Sequence, residues 1–349
     1  MPEKPLRIVL VGAGTLQGKA LNEELAASAF AATDLHLIDD EEALGKLVAA
    51  GDEATFIQPI EPDSFDGCDF TFFACSRELT QTHWRQALRA GSRIIDLSGE
   101  LEGAPGVPVC APWIQNNPAS VPDLQTRAVV SAHPVALLLA LLVARGGRVA
   151  PVETLWATLL QPASEYGHEA LEELHRQSAS LLSFQPVQTE VFGAQTAFTL
   201  AVSFGVEGRV ELGKSAGNIG RHYAGIVAAG SPFPALQVVQ APVFHGHALS
   251  VAMEFSQPVA SDALARVLAG RYVHIVADPN AFPSNVQAVE EEEMQVLVRP
   301  VFEDAETSGK RETRRFWLWI VADNLKLAAR NAIACAAELN RLRPRGGVQ

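Results

Sequence analysis

The segment 129–143, VVSAHPVALLLALLV, constrains the fold more than any other part of the chain, because it is apolar except for one serine, one histidine and one proline. Its β-branched start, polar centre and Leu/Ala-rich end predict a buried strand, a turn and a buried helix, with Pro134 in the first helical turn. Amides at a helix N-terminus lower the pKa of a cysteine placed there, so an α/β enzyme can hold a thiolate nucleophile at such a turn. This turn instead offers Val135 and Ala136. We therefore expect no thiolate here.

Composition limits the possible partners. A length of 349 residues predicts two domains, and a formal charge of -13 disfavours nonspecific binding to nucleic acid or to an anionic membrane. Residues 128–144 carry no charge but stop short of the roughly 18 to 20 continuous apolar residues of a membrane span. The cysteines have no CxxC spacing and follow no secretory segment, which favours reduced thiols over disulfides or a zinc site. We expect a soluble cytoplasmic protein with no metal, nucleic-acid or membrane partner.

A strand, a glycine-rich turn and a helical segment open the chain. RIVLV at 7–11 has the composition of a strand buried on both faces, and GAGTLQG follows at 12–18. Small residues at such a turn let backbone amides approach a pyrophosphate, which predicts a Rossmann-like unit with Gly12, Gly14 and Gly18 at the cofactor. The spacing GxGxxxG departs from GxGxxG, so the turn predicts this unit more strongly than it predicts dinucleotide binding.

The second predicted strand, 35–38, ends in a run of acidic residues that includes Asp39 and Asp40. A carboxylate at this strand end can accept hydrogen bonds from an adenosine ribose, and its charge repels a 2′-phosphate. The pattern therefore predicts that NAD is possible and NADP unlikely. The alternative is that these carboxylates are solvated charges of a loop.

Strands alternate with helices along the chain up to the segment 129–143. Strands are predicted at 69–74 and 92–97 with a helix at 80–90 between them, which indicates a parallel doubly wound sheet. Cys75 follows the first of these strands at the sheet edge where ligands bind, but a packed thiol is the commoner role for such a residue. The first domain is expected at 1–132.

The second domain is predicted at 133–322 as an α+β dimerisation domain with a mixed sheet, and the C-terminal helix, in 323–349, returns to the first domain. Helices are predicted at 167–182 and 325–342. Strands are predicted at 154–160, 196–205, 238–243, 249–254, 295–301 and 316–322. The charge-rich stretches 290–293 and 303–315 are predicted as exposed loops.

His245 and His247 flank a glycine in PVFHGH. Two histidines at this spacing could bind a metal on one face of a strand, but no further ligand follows at a recognisable spacing. One of them could act as a general base, and a structural role is the alternative.

Together these segments resemble the aspartate-β-semialdehyde dehydrogenase family along nearly the whole chain, and more closely its divergent Usg-type branch. The matching segments are the first strand with its glycine turn, IIDLS at 94–98, PVFHGH at 242–247 and WIVADNL at 319–325. The resemblance implies an NADP-binding Rossmann domain completed by the C-terminal helix, and a second domain with the active site and the dimer interface. It also implies hydride transfer to an enzyme-bound thioester, made by a cysteine that a histidine assists.

Several positions depart from that family. Its nucleophilic cysteine falls on Val135, and a valine cannot form a thioester. The assisting histidine is retained as His247, whereas two anion-binding arginines fall on Gln240 and near Glu102. The resemblance therefore implies that the family's phosphorylated acidic substrate is rejected.

The cofactor positions differ as well. Thr15 stands where the family has a glycine at the pyrophosphate, and Glu42 stands where it has an arginine for the 2′-phosphate. Gln161 and Asn324 match the family's substrate and cofactor positions, as do Ser164 and Gly167.

These matches lead to one expected function and two alternatives. We expect a homodimeric binding or interaction protein without the family's activity. One alternative is an NAD-dependent oxidoreductase for a non-phosphorylated substrate, with His247 as base beside Gln161. The other is a heterodimer with an active family member.

Overall fold

The computed structural model describes residues 6–31, 33–40, 47–50, 53–114, 121–278, 281, 283–291, 294–302 and 312–342. The chain forms two compact units, Met1–Leu137 with Leu325–Gln349, and Leu138–Asn324. The boundaries predicted from the sequence, 132/133 and 322/323, stay a prediction.

The first unit contains a seven-stranded sheet in the order β5-β2-β1-β6-β7-β9-β8, in which every pair of neighbours is parallel. The predicted Rossmann-like doubly wound sheet is thus confirmed. Strands β3 and β4 form a separate antiparallel pair. The elements from residue 7 to residue 146 are β1 Arg7–Val11, α1 Leu16–Ala26, β2 Asp34–Asp39, β3 Leu47–Ala50, β4 Glu53–Phe56, β5 Gln58–Pro59, β6 Phe70–Phe73, α2 Arg77–Arg89, β7 Arg93–Asp96, β8 Val109–Cys110, β9 Ala128–Ser131 and α3 Pro134–Gly146.

Strand β1 is apolar on both sides because helices cover both faces of the sheet. Ile8 and Leu10 pack in one cluster, which also contains residues of α1 and five residues of the C-terminal helix. Val9 and Val11 point to the other cluster, with Ala87 of α2. A parallel sheet buried on both faces requires such a continuous apolar strand, which is why RIVLV was recognisable from its sequence.

The second unit contains a six-stranded mixed sheet in the order β11-β10-β12-β15-β14-β13, which confirms the predicted α+β class. Its elements, with the C-terminal helix, are β10 Val152–Gln161, a 3-10 turn Ala163–Tyr166, α4 Gly167–Leu182, α5 Leu212–Ile226, β11 Ala235–Gln240, β12 His247–Ala260, α6 Ser261–Leu268, β13 Val273–Ile275, α7 Asn285–Glu291, β14 Met294–Val301, β15 Glu312–Ala322 and α8 Asn324–Arg341.

The strand predicted at 196–205 is wrong. Within this segment only an isolated bridge from Ala201 to Gln240 forms. The backbone amides of Thr196 and Ala197 donate instead to the Gln177 side chain of α4, at 2.7 and 3.1 Å. These amides are therefore not available for a ladder, although the alternating sequence is typical of a strand.

The charge-rich segments also differ from the predicted loops. Residues 290 and 291 end helix α7, and 312–315 begin strand β15. The rest of both segments lies outside the described residues, as does Glu42. No helix in the described part of the chain combines the length and apolarity needed to cross a membrane.

Candidate functional site

The glycine turn of the first unit is built on two close backbone approaches. Gly12 has φ +87°, and a Cβ there would lie 2.5 Å from the carbonyl oxygen of Ala74. A Cβ on Gly18 would lie 1.9 Å from the carbonyl oxygen of Gly12. The spacing GxGxxxG is therefore required to bring the start of α1 against the end of β1.

Thr15 caps helix α1. Its Oγ1 accepts the Gly18 amide at 2.9 Å, and its hydroxyl can donate to the carbonyl oxygen of Gly12 or of Ala74, at O···O distances of 2.9 and 2.8 Å. The cap uses one amide of the helix N-terminus, while those of Leu16 and Gln17 have no acceptor within the helix. The turn keeps the shape of a phosphate cradle, so these residues fit a dinucleotide.

Asp39 ties the end of β2 to the same turn. The side chain is buried, with Oδ2 accepting the Gly14 amide at 2.7 Å and Oδ1 accepting the Asp40 amide at 2.9 Å. Asp40 is exposed. The turn contact was missed by the sequence analysis, and the ribose contact of either carboxylate stays a prediction.

At the N-terminus of α3, Val135 is 0% exposed and its amide donates to Nδ1 of His133 at 3.1 Å. His133 thus acts as the cap that Ser, Thr, Asn or Asp usually provides. The sequence signal was a polar residue directly before the helix-initiating Pro134. A helix N-terminus is present where it was predicted, and the described side chain at its second residue is aliphatic.

The surroundings of three of the four cysteines disfavour the thiolate form. Burial raises the pKa of the Cys75 thiol to about 12, although a hydrogen bond from Thr80 acts against the rise. Burial likewise raises the pKa of Cys68 to about 11 and that of Cys335 well above its ordinary value. Cys110 is also buried.

We expect thiol labelling of the native protein to be slow. At pH 8 only about one thiol in a thousand is ionised when its pKa is near 11. Ellman's reagent should therefore react with the native protein at well under about 1% of the rate of an exposed thiol, and with all four cysteines after unfolding. A Ser183→Cys variant supplies the control, because Ser183 is exposed. One native thiol reacting as fast as this control would contradict the prediction.

A polar cluster lies in the second unit around His247, the first residue of β12. Its Nε2 lies 3.1 Å from Oε2 of Glu165, which also accepts a hydrogen bond from Asn324 Nδ2 at 3.3 Å. The Asn324 Oδ1 accepts from the Ser164 hydroxyl at 3.2 Å and from the Gly246 amide at 3.1 Å. The structure thus brings together three residues that the sequence singled out.

Glu165 is the member of this cluster that the sequence analysis missed. The His247 side chain is 1% exposed and that of Glu165 is 20% exposed, so the carboxylate is the outward member of the pair. The only signal was one acidic residue in the loop QPASEY. Because Nε2 of His247 faces Glu165, this nitrogen already has a partner.

Gln161 and Gln240 are register partners at the ends of the parallel strands β10 and β11. Gln240 Nε2 donates to the carbonyls of Gln161 and Ala241, both at 3.0 Å. The segments that follow these two strands also run side by side, because the amides of Ala163 and Ser164 donate to the carbonyls of Val243 and Phe244. Both glutamines therefore belong to the same end of the sheet as His247.

Glu102 lies half-buried in the turn after β7, in the first unit. Asp96 holds this turn, accepting the Ser98 hydroxyl at 2.6 Å and the Leu101 amide at 2.8 Å. Burial raises the pKa of Asp96, while these hydrogen bonds act against the rise. The Arg77 side chain approaches Gly99 of the same turn, and the effect of Glu102 on an anion stays a prediction.

His245 is not part of a metal cluster among the described residues, which contain no group of three potential ligands. Its carbonyl accepts a hydrogen bond from Asn285, and the neighbouring Gly246 has φ +84°. The positive φ at residue 246 therefore gives the glycine of PVFHGH a structural role in this turn.

Comparison with known proteins places both units. Residues 7–121 match the family described as semialdehyde dehydrogenase, NAD binding domain, and residues 147–327 match semialdehyde dehydrogenase, dimerisation domain. The chain belongs to the semialdehyde dehydrogenase family. It is 30% identical to a USG-1 protein homolog of Pseudomonas aeruginosa over 95% of this chain and 96% of that protein. The structure of a probable aspartate-semialdehyde dehydrogenase from the same species superimposes with a TM-score of 0.84 at 28% identity, covering 96% of this chain and 98% of that one.

The prediction that NADP is an unlikely cofactor receives no support from the comparisons. An aspartate semialdehyde dehydrogenase from Candida albicans was solved with NADP, and it shares the fold at a TM-score of 0.67 and 13% identity, with 97% of this chain and 99% of that one covered. For the cofactor, the comparisons show an NAD-binding domain of this family at residues 7–121.

Proposed function

We propose that this chain is a semialdehyde dehydrogenase homologue without the family's thioester chemistry, and that it acts as a dimeric binding or interaction protein. The observation that carries the proposal is the buried aliphatic side chain of Val135 at the N-terminus of α3. Thioester formation needs a thiolate, and neither this position nor the buried cysteines offer one.

The second unit supports the same proposal. This unit keeps the family's assisting histidine as His247, so the support comes from a different position. The position matched to an anion-binding arginine is Gln240, whose two N–H groups donate to backbone carbonyls. An acidic phosphorylated substrate would therefore meet a neutral amide at residue 240, where the resemblance implies an arginine.

The decisive experiment is an assay of purified protein with aspartate semialdehyde, phosphate and either NADP or NAD. Loss of a nucleophile lowers turnover by about six orders of magnitude in other enzymes, so we expect no rate above the blank. An active aspartate-semialdehyde dehydrogenase assayed in parallel is the control. Turnover within about a hundredfold of that enzyme would overturn the proposal.

The proposed partner is a second copy of the chain. The second unit matches a dimerisation domain, and its sheet presents two half-exposed tryptophans, Trp156 and Trp317, aligned through Ala252 of the intervening strand. Such an apolar row on a sheet face suits a self-complementary interface. Sedimentation velocity should give a dimer that Trp317→Glu weakens, and a monomeric wild-type chain would contradict this. Mixed expression with an active family member tests the heterodimer.

A second candidate is an NAD-dependent oxidoreductase for an uncharged substrate. It is favoured by the Glu165–His247 pair, in which a carboxylate beside an imidazole can hold a proton for general acid–base catalysis. The buried Asp39 carboxylate beside the glycine turn would favour NAD over NADP by repelling a 2′-phosphate. Calorimetric titration with NAD, NADP and NADH tests both points. Equal affinity for NAD and NADP would contradict the preference, and binding of none of the three would remove this candidate.

A further inference from the structure

Two buried glutamines of the second unit carry polar atoms without hydrogen-bond partners. Gln161 is 1% exposed and Gln240 is 0% exposed, and their register pairing puts both side chains on the same face of the sheet. Among the described residues, Gln161 Oε1, Gln161 Nε2 and Gln240 Oε1 have no hydrogen-bond partner. Buried polar atoms are nearly always paired with protein or with ordered water, so three such atoms on neighbouring strands mark a polar position that a ligand group can occupy.

The orientation of the Gln240 amide is fixed by its surroundings. Its Nε2 lies 3.0 Å from the carbonyl oxygens of both Gln161 and Ala241, so a flipped amide would place Oε1 against two other oxygens. Both N–H groups are therefore used, and Gln240 offers only an acceptor to any ligand.

The Gln161 amide can present either end. The Tyr166 hydroxyl lies near it and pairs with the Ser215 hydroxyl at 3.3 Å, and a hydroxyl can face either end of an amide. Gln161 therefore offers one donor and one acceptor beside the fixed acceptor of Gln240.

This set of one donor and two acceptors selects among ligand groups. A carboxylate would place a charged oxygen near Gln240 Oε1, which repels it. An ammonium group would pair with the acceptors and leave Gln161 Nε2 unpaired. A carboxamide can donate its N–H groups to the two Oε1 atoms and accept from Gln161 Nε2 through its carbonyl oxygen.

We propose that the Gln161–Gln240 amide pair is a binding position for an uncharged carboxamide group of a small ligand. The inference deepens the proposed binding function and rests on it. The amide pair stands where the resemblance implies an anion-binding arginine. A site built for a neutral hydrogen-bonding group rejects a ligand that leaves the site's own polar atoms unpaired, so this position discriminates against anions.

The first test is thermal stability in the absence of ligand. Gln161→Met removes the unpaired amide while keeping the side-chain length, so the Tm should rise by about 2–6 °C. Gln177→Met is the matched control, because Gln177 is equally buried but donates to Gln188 and Ala194 and accepts from Thr196. The control should lower the Tm. A Tm for Gln161→Met that is unchanged or lowered would overturn the inference.

The second test is calorimetric titration of the full chain with succinamide and with succinate. We expect succinamide to bind at least about tenfold more tightly than succinate, and Gln161→Met to weaken succinamide binding by at least about tenfold. Equal or tighter binding of succinate, no saturable binding of succinamide, or succinamide binding that Gln161→Met leaves unchanged would each overturn the inference. These outcomes are separate from the turnover assay, which tests the proposed function through a different substrate.

Discussion

Val135→Cys alone is expected to leave turnover of aspartate semialdehyde about six orders of magnitude below that of an active family enzyme. The substitution supplies a thiol at the position matched to the family's nucleophile. Catalytic groups that act as a unit are strongly non-additive, so restoring one member recovers little when the others are altered. The measurement is NADPH formation from aspartate semialdehyde and phosphate, with purified wild-type protein as the baseline.

The new thiol would also be a weak nucleophile. Val135 is fully buried, and burial raises the pKa of Cys75 to about 12 in the same unit. The helix N-terminus acts in the opposite direction, but the amide of residue 135 already donates to His133. The cysteine of this variant should therefore react slowly with Ellman's reagent at pH 8, when compared with Ser183→Cys.

A combined variant separates the missing nucleophile from the missing anion site. Val135→Cys with Gln240→Arg and Glu102→Arg restores the charges that the family resemblance implies, and it should exceed the single variant if any turnover appears. Circular dichroism and Tm of each variant establish that it is folded. Substantial turnover from Val135→Cys alone would show that the other positions matter less than proposed.

The regular elements were predictable where local pattern and burial agree. Helix α4 has the predicted bounds, 167–182, and β1 has the predicted bounds, 7–11. Helix α4 has a helical periodicity, and β1 is a short continuous apolar run that ends at a glycine turn, so the local sequence was sufficient for both. The segment 196–205 alternates as a strand should, but its amides bond to a side chain on α4, and nothing in the segment itself reveals that.

The candidate site was only partly predictable for a related reason. His247 was singled out from PVFHGH itself, and Gln161 and Asn324 were found through the resemblance, whereas Glu165 was not found. Glu165 and His247 are 82 residues apart, and they meet because the turn after β10 runs beside the segment before β12. Pattern reasoning sees neighbours along an element, so contacts between distant turns stay invisible to it.

Glu173→Ala should destabilise the protein by about 3–5 kcal/mol, the largest stability effect we expect from a single side chain. Glu173 of α4 is 0% exposed, and its carboxylate accepts the backbone amides of Glu190, Val191 and Phe192. Its Oε1 also accepts from Gln177 Nε2 at 3.1 Å. Alanine would leave three buried or half-buried amides without their acceptor. The free energy of unfolding in urea measures the loss.

The control is Glu172→Ala, one residue earlier on the same helix. Glu172 is exposed, and a surface substitution of this kind stays within about 0.5 kcal/mol of wild type. Hydrogen exchange should show faster exchange at 190–197 in Glu173→Ala only. If both variants unfolded at the same urea concentration, the carboxylate would not be what holds this segment.

The same clamp determines what the segment can present to a partner. Gln177, next to Glu173 on one face of α4, fixes Thr196 and Ala197, and the following Phe198 and Leu200 are 67% and 64% exposed. Large apolar side chains that are exposed close together can form part of a protein–protein interaction surface. We expect Phe198 and Leu200 to add to the interface proposed at Trp156 and Trp317, so loss of Glu173 should weaken self-association as well as folding stability. Sedimentation at a temperature well below the Tm of Glu173→Ala separates the effect on self-association from the effect on folding stability. A dimer that persists while the 190–197 segment is loosened would place the interface elsewhere on the second unit.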